Sequence, residues 1–132
     1  MARYVNAAFG ALAFGAIITL APLSAFAHHG WGGNVDQVSD MTGVVVESVK
    51  LAGPHGTMKI KTADGKVWDL TLAPPYRTSE AGLKQDSIPV GETVTVRGNR
   101  NSNPTRFEMK TIRVEYKGKR FNVYPEREAS LR

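Results

Sequence analysis

The stretch that decides the fold is residues 57–72, TMKIKTADGKVWDLTL, because it has the pattern of a β-hairpin. In its first half Met58 and Ile60 alternate with lysines, which is the period of a half-buried strand. Asp64-Gly65 is a strong hairpin-turn signal. Residues 67–72 alternate again, so the returning strand places three apolar side chains on one face: Trp68, Leu70 and Leu72.

The flanking segments predict three more strands. Residues 41–51 are rich in β-branched side chains and form a first strand, in which Gly43 marks a bulge or bend. Residues 93–98 and 107–114 have the pattern of a fourth and a fifth strand. Residues 116–121 predict a terminal hairpin.

Between the third and fourth strands, residues 78–85 predict a short helix, capped by Thr78 or Ser79. Three strands, one helix and two strands is the order of an all-β fold with one short helix, the five-stranded OB-like Greek-key barrel. An SH3-like barrel and a small sandwich are the alternatives, and the position of the helix favours the OB-like barrel. We expect these side chains to form most of the core: Val44, Val46, Met58, Ile60, Leu70, Leu72, Val94, Val96, Phe107 and Ile112.

Residues 1–27 have the pattern of a cleavable Sec-type signal peptide. Arg3 precedes an apolar run, and Ala25 and Ala27 form the A-x-A signature of a signal-peptidase site. The alternative is a transmembrane anchor, but the run is short for a span of ~20 residues and no Lys or Arg cluster follows it. We therefore expect cleavage after Ala27 and a periplasmic or secreted bacterial protein without a stable membrane anchor.

The remaining chain divides into three parts by composition. Residues 28–40 are rich in glycine and polar groups and predict a flexible N-terminal arm. Residues 41–124 contain the predicted barrel, and residues 125–132 are a polar tail. We expect one domain and a monomer.

Composition excludes several functional classes. The chain has no cysteine, which excludes disulfides, thiolate metal sites and thiol catalysis. It has 17 Lys and Arg against 12 Asp and Glu; without Arg3 the count is 16 against 12, about +4. Acidic residues are interleaved with the basic ones, so a nucleic-acid partner is not expected. Nucleophile-elbow, phosphate-loop and H-E-x-x-H motifs are absent from the sequence, so we do not expect an enzyme.

Several short motifs occur in a characteristic order along the chain: Phe26-Ala27-His28-His29, Thr42-Gly43-Val44-Val45, the Pro-His turn Gly53-Pro54-His55, Asp64-Gly65-Lys66-Val67 leading to Trp68, and residues 88–98. They resemble the motifs of a widespread group of small bacterial secreted proteins that is classed as a domain of unknown function. Departures from that group are Gly53 where members commonly carry Asn, Gly56 after His55, and Gly30-Trp31 where Ser-Phe is common. The resemblance implies export and an OB-like barrel, and it supplies no activity.

All three histidines lie in these motifs, which raises a metal-binding hypothesis. Cleavage after Ala27 would leave His28 with a free α-amine beside its own imidazole, and His29 follows it. His55, in the turn between the first two strands, could complete the site. Imidazole and amine nitrogens suit copper and similar metals. In the alternative interpretation, the paired histidines assist processing and His55 hydrogen-bonds within its turn.

The aromatic residues suggest a second hypothesis, an envelope adaptor that binds an exported partner protein or an anionic polymer without metal. Trp31, Trp68 and Tyr76 could form a stacking platform of the kind OB barrels use. For Trp68, a core position is the alternative, because it alternates with Leu70 and Leu72. Trp31 could instead pack the arm onto the barrel and bring His28 near His55. Five basic residues could line a face near the last strands: Arg97, Arg100, Arg106, Lys110 and Arg113.

Overall fold

The computed structural model describes residues 31–129, which form six strands and two short helices. Within that range, no helix is long and apolar enough to cross a membrane. The elements in chain order are β1 (Asn34–Lys50), β2 (Thr57–Lys61), β3 (Val67–Thr71), α1 (Pro75–Glu80), β4 (Thr93–Asn101), β5 (Glu108–Tyr116), β6 (Lys119–Asn122) and α2 (Pro125–Ala129).

Five of the strands close into a ring. Antiparallel pairing gives the order β3-β2-β1-β4-β5-β6, and β3 also pairs with β5 in parallel. In that closing pair Leu70 lies opposite Met109 and Thr71 lies opposite Lys110. The structure confirms the predicted all-β fold: five strands form a closed barrel, and a short helix lies between the third and fourth strands. The strand β6 adds the predicted terminal hairpin to β5.

The predicted core is correct in β2, β3 and β4 but wrong in β1. Val44 and Val46 are 42 % and 40 % exposed, whereas Val45 is fully buried. The inward positions of β1 are Met41, Gly43 and Val45. Gly43 also faces inward. There is no room for a side chain at this position, because an added Cβ would lie 2.9 Å from the carbonyl oxygen of Lys61. The alternation across residues 43–46 is therefore opposite in phase to the prediction. Phe107, also predicted to be buried, is only partly so and packs against the core.

The boundaries differ from the prediction at both ends of the barrel. β1 begins at Asn34, so residues 34–40 of the predicted flexible arm are strand and pair with β4. In the predicted polar tail, residues 125–129 form α2. Both segments lie against β4 or β5, so pairing and packing order residues whose composition is typical of loops.

The helix α1 begins earlier than predicted. It runs from Pro75, a residue whose fixed φ suits a first helical position. Thr78 is not a cap: it is buried, and its hydroxyl donates to the carbonyl oxygen of Ala73 at 2.7 Å. Gly82 has φ +102° just after the helix, a conformation typical of a residue that ends one.

Candidate functional site

His55 is held at the mouth of a small cavity by the loop between β1 and β2. Gly56 fixes the loop: its N–H donates to Ala73 and its carbonyl accepts from Leu72, at 2.8 and 2.7 Å. The imidazole is half-buried and has no hydrogen-bond partner among residues 31–129, so the predicted bond within the turn is not seen there. Burial, and then the positive charge of Lys110, lower the pKa of His55. Both effects favour the neutral imidazole, the form whose nitrogen lone pair can bind a metal.

Lys110 lies on β5 on the other side of the same cavity. It is only 5 % exposed, and among residues 31–129 its ammonium forms no ion pair or hydrogen bond. Its recorded contacts are with two aromatic rings, at 5.6 Å from the centroid of Trp31 and 5.7 Å from that of Tyr124. Burial, followed by the charge of Arg127, lowers the pKa of Lys110.

The cavity has a volume of about 260 Å³ and a largely polar lining. Two of its amide groups are already in use. Asn34 donates to the carbonyl oxygen of Asn99, and Asn101 donates to Glu108, each at 2.8 Å. The side chain of Thr71, in contrast, has no hydrogen-bond partner in the described part of the chain. The full lining is Asn34, His55, Thr71, Asn101, Glu108, Met109 and Lys110.

Trp31 packs the start of the described chain onto this face of the barrel. Its ring meets Tyr124 edge-on, with centroids 5.1 Å apart, and the guanidinium of Arg127 lies 3.7 Å from its centroid. Trp31 packs against the core, as the arm-packing alternative predicted. It thereby places the chain next to Lys110 and the His55 cavity.

The helix α2 that carries Arg127 is itself fixed by ion pairs. Glu126 accepts two hydrogen bonds from Arg77 on α1, at 2.8 and 2.9 Å. Glu128 pairs with Arg113 on β5 and lies 3.3 Å from Arg97 on β4. Because α2 is tied to α1, β4 and β5, the support beneath Trp31 is part of the folded domain.

The other predicted ligand-binding aromatics do not join this site. Trp68 is buried, with its ring 5.4 Å from that of Phe107. Tyr76 is 76 % exposed on α1. Among the described residues, the ring contacts join Trp31 to Tyr124 and Trp68 to Phe107, so Trp31, Trp68 and Tyr76 do not form one stacking platform.

The predicted metal ligands His28 and His29 lie outside the described residues. Between residues 31 and 129, no three His, Cys, Asp or Glu side chains form a group that could hold a metal ion. Of the three predicted metal ligands, the described residues contain only His55.

The basic residues of the last strands do not form a continuous positive surface. Arg97 pairs with Asp40, Arg106 with Glu108, and Arg113 with Glu128. The guanidinium of Arg100 lies 4.5 Å from the ring centroid of Trp68. Lys110 is the one member of this group that is buried without an ion pair in the described chain.

Sequence reasoning missed Tyr124 and Arg127, and it named Lys110 only as one of five basic residues of a face near the last strands. A lysine ordinarily faces solvent, so its residue type gave no sign of burial. The available signal was Tyr124-Pro125, an aromatic residue followed by a typical helix start, in the segment assigned to a tail. That signal predicts a short helix packed on the barrel, but it does not indicate which strand the helix packs against.

Two comparisons with known proteins bear on identity. A family model described as a family of unknown function, DUF6152, matches residues 16–109. A search of curated proteins found no match.

Proposed function

Because the chain belongs to the DUF6152 family of unknown function, we propose its function from the site: it is an exported, non-enzymatic protein that binds a copper-type metal ion. The proposed ligands are His55 and the two histidines at the mature N-terminus, His28 and His29. The observation that carries the proposal is the anchoring of Trp31 on the face that holds His55.

Trp31 lies near the cavity that His55 lines, and only a short stretch of chain separates it from His28. The ring of Trp31 lies 5.6 Å from the ammonium of Lys110, which lines the same cavity as His55. His28 is three residues before Trp31, and three extended residues span at most about 10 Å. A free α-amine and the imidazole of His28 can chelate one ion, with His29 as a supporting ligand and His55 as the ligand from the barrel.

The state of His55 supports this role. A metal ligand must be deprotonated, and burial together with the charge of Lys110 lowers the pKa of His55. A lowered pKa favours the deprotonated ring and so reduces the cost of proton release when the metal binds. Nitrogen ligands of this kind favour copper over zinc in the usual affinity order.

The positive charge of Lys110 repels a divalent cation bound at His55. We therefore expect the ligands to contribute unequally to the binding free energy. The α-amine, His28 and His29 should supply most of the binding free energy, and His55 a smaller part. The competing hypothesis, an adaptor for an anionic polymer, receives less support, because three of its five basic residues are ion-paired.

The test starts with the exported protein. Intact mass spectrometry should show a mature chain beginning at His28, and a chain that begins at Phe26 would contradict the proposed ligand set. Copper titration of the mature protein should then give tighter binding than zinc, weakening below about pH 6 as the amine and imidazoles gain protons.

Two variants separate a built site from incidental binding. We expect His28→Ala to cause the larger loss of copper affinity and His55→Ala a smaller one, with the barrel folded in both. A precursor that retains residues 1–27 is the matched control, because it keeps the histidines but lacks the amine. Unchanged copper affinity in His55→Ala would mean that the N-terminal dipeptide alone binds copper, and would contradict the proposed site.

A further inference from the structure

Lys110 is a buried cation whose counter-charge is missing from the described chain. The ammonium still reaches solvent, but the residue is only 5 % exposed, and partial desolvation of an ammonium costs free energy unless an anion or several acceptors compensate it. Here the recorded compensation consists of two aromatic faces, each more than 5 Å from the ammonium. Such contacts attract a cation but provide no hydrogen-bond acceptor with a full charge. The neighbouring Arg127 adds a second positive charge on the same side.

The cavity beside Lys110 has unused hydrogen-bond donors. The imidazole of His55 and the hydroxyl of Thr71 line it, and neither side chain has a hydrogen-bond partner among residues 31–129. A neutral imidazole carries one N–H, and a hydroxyl carries one O–H. Together with the ammonium, three donors from three separate elements border one space of about 260 Å³.

We infer that this cavity binds the carboxylate group of a small ligand or chain end, with Lys110 as the charged donor and with the imidazole of His55 and the hydroxyl of Thr71 as further donors. The site uses only described residues and does not depend on the metal proposal.

The surroundings favour a carboxylate over a phosphate. Glu108 also lines the cavity, and its carboxylate is held by Asn101 and Arg106 at 2.8 and 2.9 Å. A fixed negative charge in the wall disfavours a dianion more than a monoanion, because repulsion grows with ligand charge. The volume is below the common range of sites for drug-sized molecules, roughly 300–1,000 Å³, and so suits a small acid or an end group.

The experiment is an NMR titration of the mature protein, in low-chloride buffer, with three probes. Acetate represents a free small acid, N-acetylglycine represents a peptide end, and the methyl ester of N-acetylglycine is the neutral control. We expect saturable shifts at His55, Thr71 and Lys110 with a millimolar Kd for the acids and no saturation with the ester. Tighter binding of N-acetylglycine than of acetate would identify a chain end as the ligand. Inorganic phosphate should bind more weakly than either acid.

Three variants make the result specific. Lys110→Met removes the charge, keeps an apolar chain of similar length, and should lower acid affinity at least tenfold with a well-dispersed spectrum. Lys61→Met removes an exposed lysine and should change nothing, which controls for net charge. A chain that ends at Ala129 should bind like the full chain. Binding seen only in that shortened chain would mean that the protein's own tail occupies the cavity, and would overturn the inference that the cavity takes a separate ligand.

Equal binding of the ester, or retained acid binding in Lys110→Met, would also overturn it. The same variant separates this inference from the metal proposal, because the two predict opposite signs. Removing the charge of Lys110 should weaken acid binding and strengthen copper binding at His55. Failure of either response leaves the other proposal intact.

Discussion

The rings of Trp31 and Tyr124 meet edge to face, with centroids 5.1 Å apart and planes inclined by 70°. Tyr124 is held by β5, since its N–H donates to the carbonyl oxygen of Ile112 at 3.2 Å. The contact therefore connects the start of the described chain to the last strand of the barrel. It determines where a ligand carried by the N-terminal residues could be placed.

Loss of this contact should uncouple His55 from the N-terminal histidines. We expect Trp31→Ala to lower copper affinity by about tenfold, the lower end of the effect of removing a group that orients metal ligands. In the Trp31→Ala background, His55→Ala should then have little further effect. A double-mutant cycle by copper titration measures this coupling, and additive effects of the two substitutions would contradict it.

Adjacent valines on β1 should respond very differently to truncation. Val45 is fully buried and Val46 is 40 % exposed. Val45→Ala should lower the free energy of unfolding by about 1.5–3 kcal/mol, because it removes buried methyl groups and leaves a cavity. Val46→Ala should change it by less than about 1 kcal/mol. Both lose the same intrinsic β-propensity, so the difference between their urea midpoints reports burial alone. Equal midpoints would contradict the observed facing of β1.

Gly98 allows β4 to approach β5 closely beneath Lys110. A Cβ at position 98 would lie 2.1 Å from the carbonyl oxygen of Lys110 and 2.8 Å from Cγ of Met109. The backbone must move to accept a methyl group, so Gly98→Ala should destabilise the fold by about 1–3 kcal/mol or more. Gly32→Ala is the matched control, because no atom lies within 4 Å of its added Cβ. Thermal unfolding of the two variants makes the comparison, and a wild-type midpoint for Gly98→Ala would refute the close approach.

The ion pair between Asp40 on β1 and Arg97 on β4 should make a pH-dependent contribution to stability. Arg97 donates two hydrogen bonds to the carboxylate, at 2.7 and 2.8 Å, and these bonds are the main reason that the pKa of Asp40 is lowered. A lowered folded-state pKa stabilises the fold above the unfolded value, about 3.9, and the contribution disappears as pH falls through the folded-state pKa.

We therefore expect Asp40→Asn to be less stable than the wild type at pH 7, by less than about 1 kcal/mol because the carboxylate is half-exposed. The difference should shrink towards pH 2–3. Urea unfolding of both proteins at each pH isolates this pair from the other carboxylates. A difference that stays constant or grows in acid would show that the pair is not its source.

The elements of the barrel could be predicted because their signals are local. The alternation of Met58 and Ile60, the Asp64-Gly65 turn and the alternation after it depend on neighbours within a few residues. The prediction failed at residues 44–46, where three consecutive valines fit either face. Gly43 has no side chain whose polarity could indicate which face is inward. The inward face of β1 is decided by the close approach of β2 to Gly43, a contact that the local sequence does not contain.

By itself, the sequence determined the strand order along the chain, the helix between the third and fourth strands, and the candidate ligands His28, His29 and His55. Their pattern is set by local backbone preference and by the chemistry of each residue type. Only the tertiary structure decided that Lys110 is buried, that Trp31 covers it and that His55 faces the same cavity. Those facts depend on the closure of β3 on β5 and on the packing around α2. The first pairs Leu70 with Met109, 39 positions apart, and the second brings Trp31 to Lys110, 79 positions apart.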